Sequence, residues 1–435
     1  MAQESITVNA PSFVPKPIRS IEDTGLNIGT LSDLVIKVMY YVGYTSGFEI
    51  AERVKLPFQG VVDEVLDFLK REKMCEVRGA GGLGEGTYQY TITSKGADKA
   101  REVLQRTTYS GPTPVPLRAY NEAMRTQGIH SITVRPRTMR QALSHMVLSE
   151  QIFDSIGPAV NSGKSLFLYG PPGDGKTTIA EAIGRMIWSG DLLIPYAVDI
   201  DGEIIKVFDE VSHELVEEVS VMPGSNSMKR IPDPRWVRVR RPSIVTGGEL
   251  TLKNLDLIWN DNTRFYEAPH QMKANGGMLC IDDFGRQQVR PRDLLNRWIV
   301  PLEKQIDYLT LHTGRKIEIP FHVLVVFSTN MDPKDLVDEA FLRRIPHKIF
   351  VGDPTPEEFR EIFRRMCEIK KIPYDERALV YLIQEHYAKR KRKLRSVHPR
   401  DILSHLEDLA AYNATEPRLT KEMIDRAALS YFVDI

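Results

Sequence analysis

The chain has 435 residues, 42% of them hydrophobic, enough for roughly two or three domains with real apolar cores. Its 58 basic and 58 acidic side chains cancel, so no overall charge pulls it toward nucleic acid or an anionic membrane. The cysteines Cys75, Cys280 and Cys367 lack C-x-x-C spacing and His companions, which reads as reduced thiols of a cytoplasmic protein and excludes a disulfide or zinc framework. The N-terminus has no signal-peptide pattern, and apolar runs such as 323–327 are strand length; no membrane insertion is expected.

In chain order, residues 1–26 are polar and dotted with Pro11, Pro15 and Pro17, the composition of a flexible segment. Residues 27–106 predict a small α+β unit. Leu31–Tyr41 has helical apolar spacing, Phe48–Val54 gives a second helix, and Pro57 opens a third through Val61, Val62, Val65, Leu66 and Leu69. Cys75–Arg78 and Tyr88–Thr93 alternate like strands around a glycine-rich turn, and a helix follows over Ala97–Leu104. This order resembles a winged helix-turn-helix. The helix that would enter DNA, Phe58–Glu72, carries Asp63, Glu64 and Asp67 in its middle and Lys70 and Arg71 only at its end. Major-groove readers need donors near the helix N-terminus, and carboxylates there repel phosphate. Protein docking is the expected use, and nucleic-acid binding is disfavoured.

Residues 107–137, with Pro112, Pro114 and Pro116, have the composition of a semi-rigid linker. Strand and helix patterns alternate over 138–352. Four helical stripes follow over 353–435, at Pro356–Met366, Ala378–Tyr387, Pro399–Ala411 and Thr420–Tyr431. The expected architecture is an α/β core with a parallel sheet and a C-terminal α-helical lid.

Within that core, the apolar strand Leu166–Tyr169 runs into Gly170-Pro171-Pro172-Gly173-Asp174-Gly175-Lys176-Thr177-Thr178, and a helix follows. This is G-x-x-x-x-G-K-T in the strand–loop–helix context that a phosphate-binding loop requires. The glycines let backbone N–H groups close on phosphate oxygens. Lys176 reaches the β- and γ-phosphates, and the Thr177 hydroxyl can ligate Mg²⁺. The residue types therefore predict binding of a nucleoside triphosphate.

About a hundred residues on, Met278–Ile281 reads as a buried strand that delivers Asp282 and Asp283 at its C-terminal end, where open α/β sheets bind ligands. Asp282 would hold the Mg²⁺ shell, and Asp283 would orient the attacking water. A further strand, 321–329, delivers Asn330. Beyond it lie Asp338-Glu-Ala-Phe-Leu-Arg343-Arg344 and His398-Pro-Arg400-Asp.

The motifs from 138 to the C-terminus resemble those of the AAA+ ATPases. That resemblance implies ATP as the nucleotide and Asn330 as the first sensor. It implies Arg343 or Arg344, with both fitting, as the finger offered to a neighbouring subunit, and Arg400 as the second sensor. A finger acting in trans implies a homo-oligomeric ring, with a hexamer favoured by the same resemblance. Asp283 stands where the family usually carries Glu, one methylene longer, which leads us to expect slow hydrolysis. An enlarged segment over 188–273 and a hairpin around Thr313-Gly314-Arg315 resemble the pre-sensor-1 hairpin group that holds MoxR-type chaperones. The G-A-F-T-G-A sequence of enhancer-dependent activators is absent. The function so implied is a protein remodeller or chaperone driven by ATP hydrolysis, with an unnamed protein client. The alternatives are a DNA-directed motor or regulator and a slow nucleotide switch.

Two basic stretches remain. Lys229-Arg230 with Arg235–Arg241 has acidic neighbours, Asp209-Glu210 and Glu214–Glu218, as expected internal partners. Lys389–Lys393 with Arg395 reads as a solvated inter-helix loop.

Overall fold

In the computed structural model, residues 7–8, 13–82, 84–129, 132–188, 190–216 and 233–432 are described. At the centre lies a five-stranded sheet in the order Ser243–Thr246, Met278–Ile281, Leu324–Thr329, Leu166–Tyr169, His347–Phe350. Every neighbouring pair runs parallel, so helices cover both faces and the middle strands read as unbroken apolar runs. The pleat sorts their side chains. Leu166, Leu168, Cys280 and Val326 pack on one face with Ile156, Ile179 and Ile183 of the helices Glu150–Ser162 and Lys176–Trp188. Phe167, Leu279, Val325 and Phe327 pack on the other with Phe284, Leu294 and Trp298. The C-terminal ends of three adjacent strands thereby bring Gly170, Asp282 and Asn330 to one edge.

Ser243–Thr246 falls inside the segment 188–273 that the sequence suggests is an insertion, yet it forms an edge of this central sheet. Four residues, with Val245 48% exposed, lack the buried apolar run that marks the inner strands. The rest of the segment adds Asp191–Pro195, antiparallel to Trp236–Arg240, and Ala197–Ile200, antiparallel to Glu203–Lys206. The second pair continues into a further five-stranded sheet with Val115–Pro116, Tyr266–Glu267 and Ile258–Trp259. Glu217, Glu218, Lys229 and Arg230 lie outside the described residues.

Residues 107–137 differ from the linker their prolines suggest. Val115–Pro116 pairs parallel to Ala197–Ile200, and the helix Leu117–Thr126 buries Tyr120, Ala123 and Met124. Pro116 sits at the entry to that helix, where a fixed φ and a missing N–H cost little. Residues 13–26 are likewise fastened: Ile18 is buried, and the Phe13 ring lies 5.0 Å from that of Trp236. Buried Arg235, paired with Asp233 at 2.8 Å, donates to the Thr24 carbonyl at 2.8 Å and to the Pro114 carbonyl at 3.4 Å. Polar composition hides such anchors, because backbone carbonyls are invisible in a sequence.

Over 27–106 the helices Ile28–Val42, Gly47–Val54, Asp63–Arg71 and Ser94–Leu104 surround an antiparallel sheet ordered Tyr44–Ser46, Tyr88–Ile92, Cys75–Ala80. The third helix does not start at Pro57. Gln59 is extended and Gly60 has φ 81°; a Cβ there would lie 2.3 Å from the Arg19 carbonyl oxygen. The acids Asp63 and Glu64 occupy the first turn of the regular helix, and Lys70 and Arg71 the last, the arrangement that complements a helix dipole.

The strands Ile306–Thr310 and Lys316–Pro320 pair antiparallel. The loop between them spans five residues, 311–315, with the Leu311 N–H donating to the Arg315 carbonyl at 2.8 Å. The Arg315 guanidinium pairs with Asp201 in the turn between Ala197–Ile200 and Glu203–Lys206. The C-terminal bundle comprises Pro356–Ile369, Glu376–Leu382, His398–Tyr412 and Lys421–Tyr431 around Phe359, Phe363, Leu379, Leu403 and Leu406. A reciprocal Thr355–Glu358 capping box starts it. No described helix is long and apolar enough to cross a membrane.

Candidate nucleotide-binding site

The loop after Leu166–Tyr169 turns back under the sheet edge. Gly170 has φ 141°, and a Cβ there would lie 2.1 Å from the Val351 carbonyl oxygen. Only glycine allows that approach. Lys176 opens the following helix with its side chain buried and its ammonium folded over the loop, donating to the carbonyls of Pro171 at 2.7 Å and Gly170 at 3.0 Å. Burial lowers its pKa, opposed by the nearby carboxylates Asp174, Asp282 and Asp283. Thr177 Oγ1 donates to Asp282 Oδ2 at 2.9 Å, which joins the loop to the end of Met278–Ile281.

Asp283 has φ 48°, in the left-handed region that aspartate tolerates better than most residues. Its carboxylate accepts from Asn330 Nδ2 at 3.0 Å. Several bonds hold this turn. Gln287 Nε2 donates to the Asp282 carbonyl at 2.8 Å while its Oε1 accepts from the Gly285 N–H at 2.8 Å. The Phe284 N–H donates to the Ser328 carbonyl at 2.7 Å, and Thr329 Oγ1 to the Phe284 carbonyl at 2.7 Å.

Lys176, Thr177, Asp282, Asp283 and Asn330 line a cavity of about 480 Å³. Its remaining wall is largely apolar, from Met146, Val147 and Leu148 on one side and Ile362 and Met366 on the helix Pro356–Ile369. Sequence reasoning missed this wall. Ile362 and Met366 have ordinary i, i+4 spacing, which reads as core, and the 145–148 segment carries no motif. Arg365 ties the two sides together by donating to the Ser144 carbonyl at 2.8 Å and the Met146 carbonyl at 3.2 Å. Arg400 also lines the cavity; it is exposed and donates to Asp401 Oδ1 at 2.8 Å. Asp174 is buried against the start of the helix His398–Tyr412, where its carboxylate accepts from the Ser396 N–H and from Arg395, each at 3.0 Å. Burial nevertheless raises its pKa.

Arg343 and Arg344 stand apart from this cavity. Both line a second cleft with Lys164, Glu303 and Lys304. The Arg343 side chain is 76% exposed and, among the described residues, pairs only within its own turn, with Glu339 at 3.0 Å, whereas Arg344 pairs with Glu303 at 2.6 Å and donates to the Ala340 carbonyl at 3.0 Å. The basic stretches also find internal partners. Arg240 pairs with Glu214 at 3.1 Å and Arg238 with Asp191 at 3.6 Å, Asp209 is taken by Lys273 at 2.7 Å, and Trp236 is buried. Lys389 pairs with Glu385 at 2.6 Å and Lys393 with Asp353 at 3.6 Å, and Arg392 lies 4.3 Å from the Phe432 ring centroid.

Chemically the site offers a backbone cradle, a buried ammonium, and a hydroxyl and carboxylate in contact. A second carboxylate is oriented by an amide, and a guanidinium stands at the rim. No group of three or more His, Cys, Asp or Glu side chains among the described residues could hold a metal alone. The Thr177–Asp282 pair is a hard-oxygen set of the size that suits Mg²⁺, which keeps several waters and shares phosphate oxygens.

Residues 355–430 match a family model described as a domain of unknown function, DUF8689. The chain is 30% identical over 87 residues to the 26S proteasome subunit RPT4 of Saccharomyces cerevisiae, a match covering 19% of this chain and 20% of that subunit. Among solved structures it is similar to NtrX from Brucella abortus in complex with ADP, at 13% identity and a TM-score of 0.37 over 66% of this chain and 56% of that one. It is also similar to the Thermotoga maritima RuvB Holliday junction branch migration motor, at 14% identity and a TM-score of 0.38 over 66% of this chain and 70% of that one. The chain thus spans about a fifth of the proteasome subunit and just over half of NtrX.

Proposed function

We propose that this chain is an AAA+-type ATPase that binds ATP with Mg²⁺ in the cavity around Lys176 and hydrolyses it. The observation that carries the reading is the convergence of Lys176, the Thr177–Asp282 pair, the Asp283–Asn330 pair and Arg400 on one cavity of about 480 Å³. The loop N–H groups between Gly170 and Thr178 cradle the phosphates, and Lys176 leaves its carbonyl partners to meet them. Thr177 and Asp282 would hold Mg²⁺, which when bound offsets phosphate charge. Asp283, oriented by Asn330, holds the attacking water and accepts its proton as the oxygen bonds to the γ-phosphorus and the β–γ bridging bond breaks. Arg400 lies where charge develops on the γ-phosphoryl group. The apolar wall of Val147, Leu148, Ile362 and Met366 suits the flat face of a purine.

Exposed Arg343, remote from its own cavity, suits a finger that completes a neighbour's site, so the working form is a ring of copies of this chain. Its action is the remodelling of a protein client. The winged-helix-like unit over 27–106 serves as a docking module, since the helix Asp63–Arg71 offers carboxylates and not major-groove donors. The deciding experiment is steady-state ATP turnover at physiological salt, with and without duplex and single-stranded DNA, with K176A as the blank. Turnover above the blank and unchanged by DNA supports the reading. Several-fold stimulation by DNA would replace it with a DNA-directed motor, and no turnover above the blank would leave a nucleotide-gated switch.

A further inference from the structure

Asp174 puts an acid in the middle of a loop built to receive anions. It sits between Gly173 and Gly175, both at positive φ, in the stretch proposed above to cradle phosphates, and its side chain is fully buried. A carboxylate in that place opposes a polyphosphate unless a cation offsets it. The cation and the hydrogen-bond donor that the structure supplies come from one short segment far along the chain. Arg395 Nη1 lies 3.0 Å from Asp174 Oδ2, and the Ser396 N–H donates to Oδ1 at 3.0 Å. The next residue completes the seam: the Val397 N–H donates to the Gly173 carbonyl at 2.9 Å. A Cβ on Gly173 would meet Val397 Cγ1 at 2.7 Å, so glycine is needed for this contact as well as for the loop. The same Arg395 guanidinium pairs with Asp353, in the connection between the strand His347–Phe350 and the helix Pro356–Ile369. Lys176, the cation within the loop, is directed to backbone carbonyls.

Resting on the nucleotide-binding reading above, we propose that Arg395 is a positioning residue that makes the phosphate affinity of the loop depend on docking of the C-terminal bundle. With 395–397 seated, Asp174 is neutralised and the loop accepts a nucleoside polyphosphate. With the segment withdrawn, Asp174 stands uncompensated beside the phosphates and drives them out. Bundle movement is thereby converted into nucleotide release by one ion pair.

The test is a double-mutant cycle in the full-length chain, read by equilibrium binding and dissociation of fluorescent N-methylanthraniloyl-ADP with Mg²⁺. R395Q is expected to weaken binding at least tenfold, mainly through faster dissociation. R395K, which keeps the charge, is expected to stay within about threefold of the parent. D174N alone is expected to bind as tightly as the parent or a few-fold more tightly, and D174N/R395Q to return to within about threefold. A merely structural role for the pair predicts the reverse sign for D174N, because Arg395 is then held by Asp353 alone and the seam between loop and bundle loosens. Weakening by D174N, or additive losses in the double variant, overturns the proposal. Should R395Q not fold, the sign of D174N and the behaviour of R395K decide alone. Parent binding that K176A abolishes, together with an additive cycle, sinks this inference and leaves the nucleotide site standing. Parent binding no better than K176A removes both.

Discussion

The side-chain amide of Asn330 donates to the carboxylate of Asp283 at 3.0 Å, so the residue ending one strand fixes the acid that follows its neighbour. Asp283 is held in the left-handed region by hydrogen bonds around its turn, donated by Gln287 and Thr329 and accepted by the Ser328 carbonyl. Glutamate enters that region less readily than aspartate, and its extra methylene would carry the carboxylate past the amide of Asn330. The turn is therefore built for the shorter acid. D283E is expected to lower kcat for ATP by roughly 10- to 100-fold, the scale of a displacement of about 1 Å, with KM changed by less than about threefold. A D283E variant faster than the parent in steady-state turnover would show that the turn offers no such compensation.

Metal dependence provides a second prediction. Thr177 and Asp282 contact each other directly, and both are proposed to hold Mg²⁺. T177A keeps the carboxylate but loses the hydroxyl. It is expected to raise the Mg²⁺ concentration for half-maximal turnover by about tenfold, while D282N and excess chelator each abolish turnover. Titration of Mg²⁺ at saturating ATP checks this; an unchanged midpoint for T177A would remove that residue from the metal site.

The Asp233–Arg235 pair is each 4% exposed, and Arg235 also satisfies the Thr24 and Pro114 carbonyls. Removing one partner leaves the other charge buried and unpaired. R235A is expected to cost about 3–5 kcal/mol in urea unfolding and to speed proteolytic cleavage near residues 13–26. R238A, at an exposed pair with Asp191, is expected to cost less than about 1 kcal/mol. Equal losses in the two variants would deny the N-terminal segment its anchor.

A pH effect follows from His398, in the segment that also carries Arg400. Burial, helped by the nearby charges of Arg395 and Arg392 and opposed by those of Asp401 and Asp353, pushes its pKa down to about 4 from an ordinary 6.5. Tyr387 contacts its ring at Nδ1, and Tyr431 and Phe432 pack against it. Between pH 6.5 and 4 the unfolded chain holds this proton and the folded bundle does not, so stability falls as pH drops through that window. Thermal unfolding followed from pH 7 to pH 4.5 is expected to show a falling midpoint, with a shallower slope for H398Q. Identical slopes in parent and variant would place the loss on other groups.

What was legible in the sequence depended on how locally each feature is encoded. The strand–loop–helix around Lys176 is contiguous, and the strands ending at Asp282 and Asn330 are buried on both faces, so each announces itself as an apolar run. The edge strand Ser243–Thr246 does not, because it needs only half that burial. Pro112, Pro114 and Pro116 suggested a spacer, yet they bound short packed elements whose partners lie in Ala197–Ile200 and Val54. Arg395 and Asp174 are 221 residues apart, and Gln287 acts through backbone groups. Their pairings are properties of the folded chain, and no local pattern carries them.

The choice between Arg343 and Arg344, open in the sequence, is narrowed by their surroundings. Arg344 is engaged by Glu303 and the Ala340 carbonyl, whereas Arg343 is 76% exposed with one exposed partner in its own turn, a contact of little energetic weight. Arg343 is thus the better candidate of the two for the proposed finger. R343A is expected to lower kcat by 10³-fold or more while leaving nucleotide affinity and assembly intact. R344A is expected to weaken assembly or stability with a smaller loss of turnover. Turnover of R343A mixed with K176A, two variants crippled separately, distinguishes the two. A finger acting in trans restores activity toward about a quarter of the parent's at equal mixing, because R343A keeps its own nucleotide site and K176A lends the arginine. No recovery on mixing, or a larger loss in R344A at matched assembly, would assign the role elsewhere.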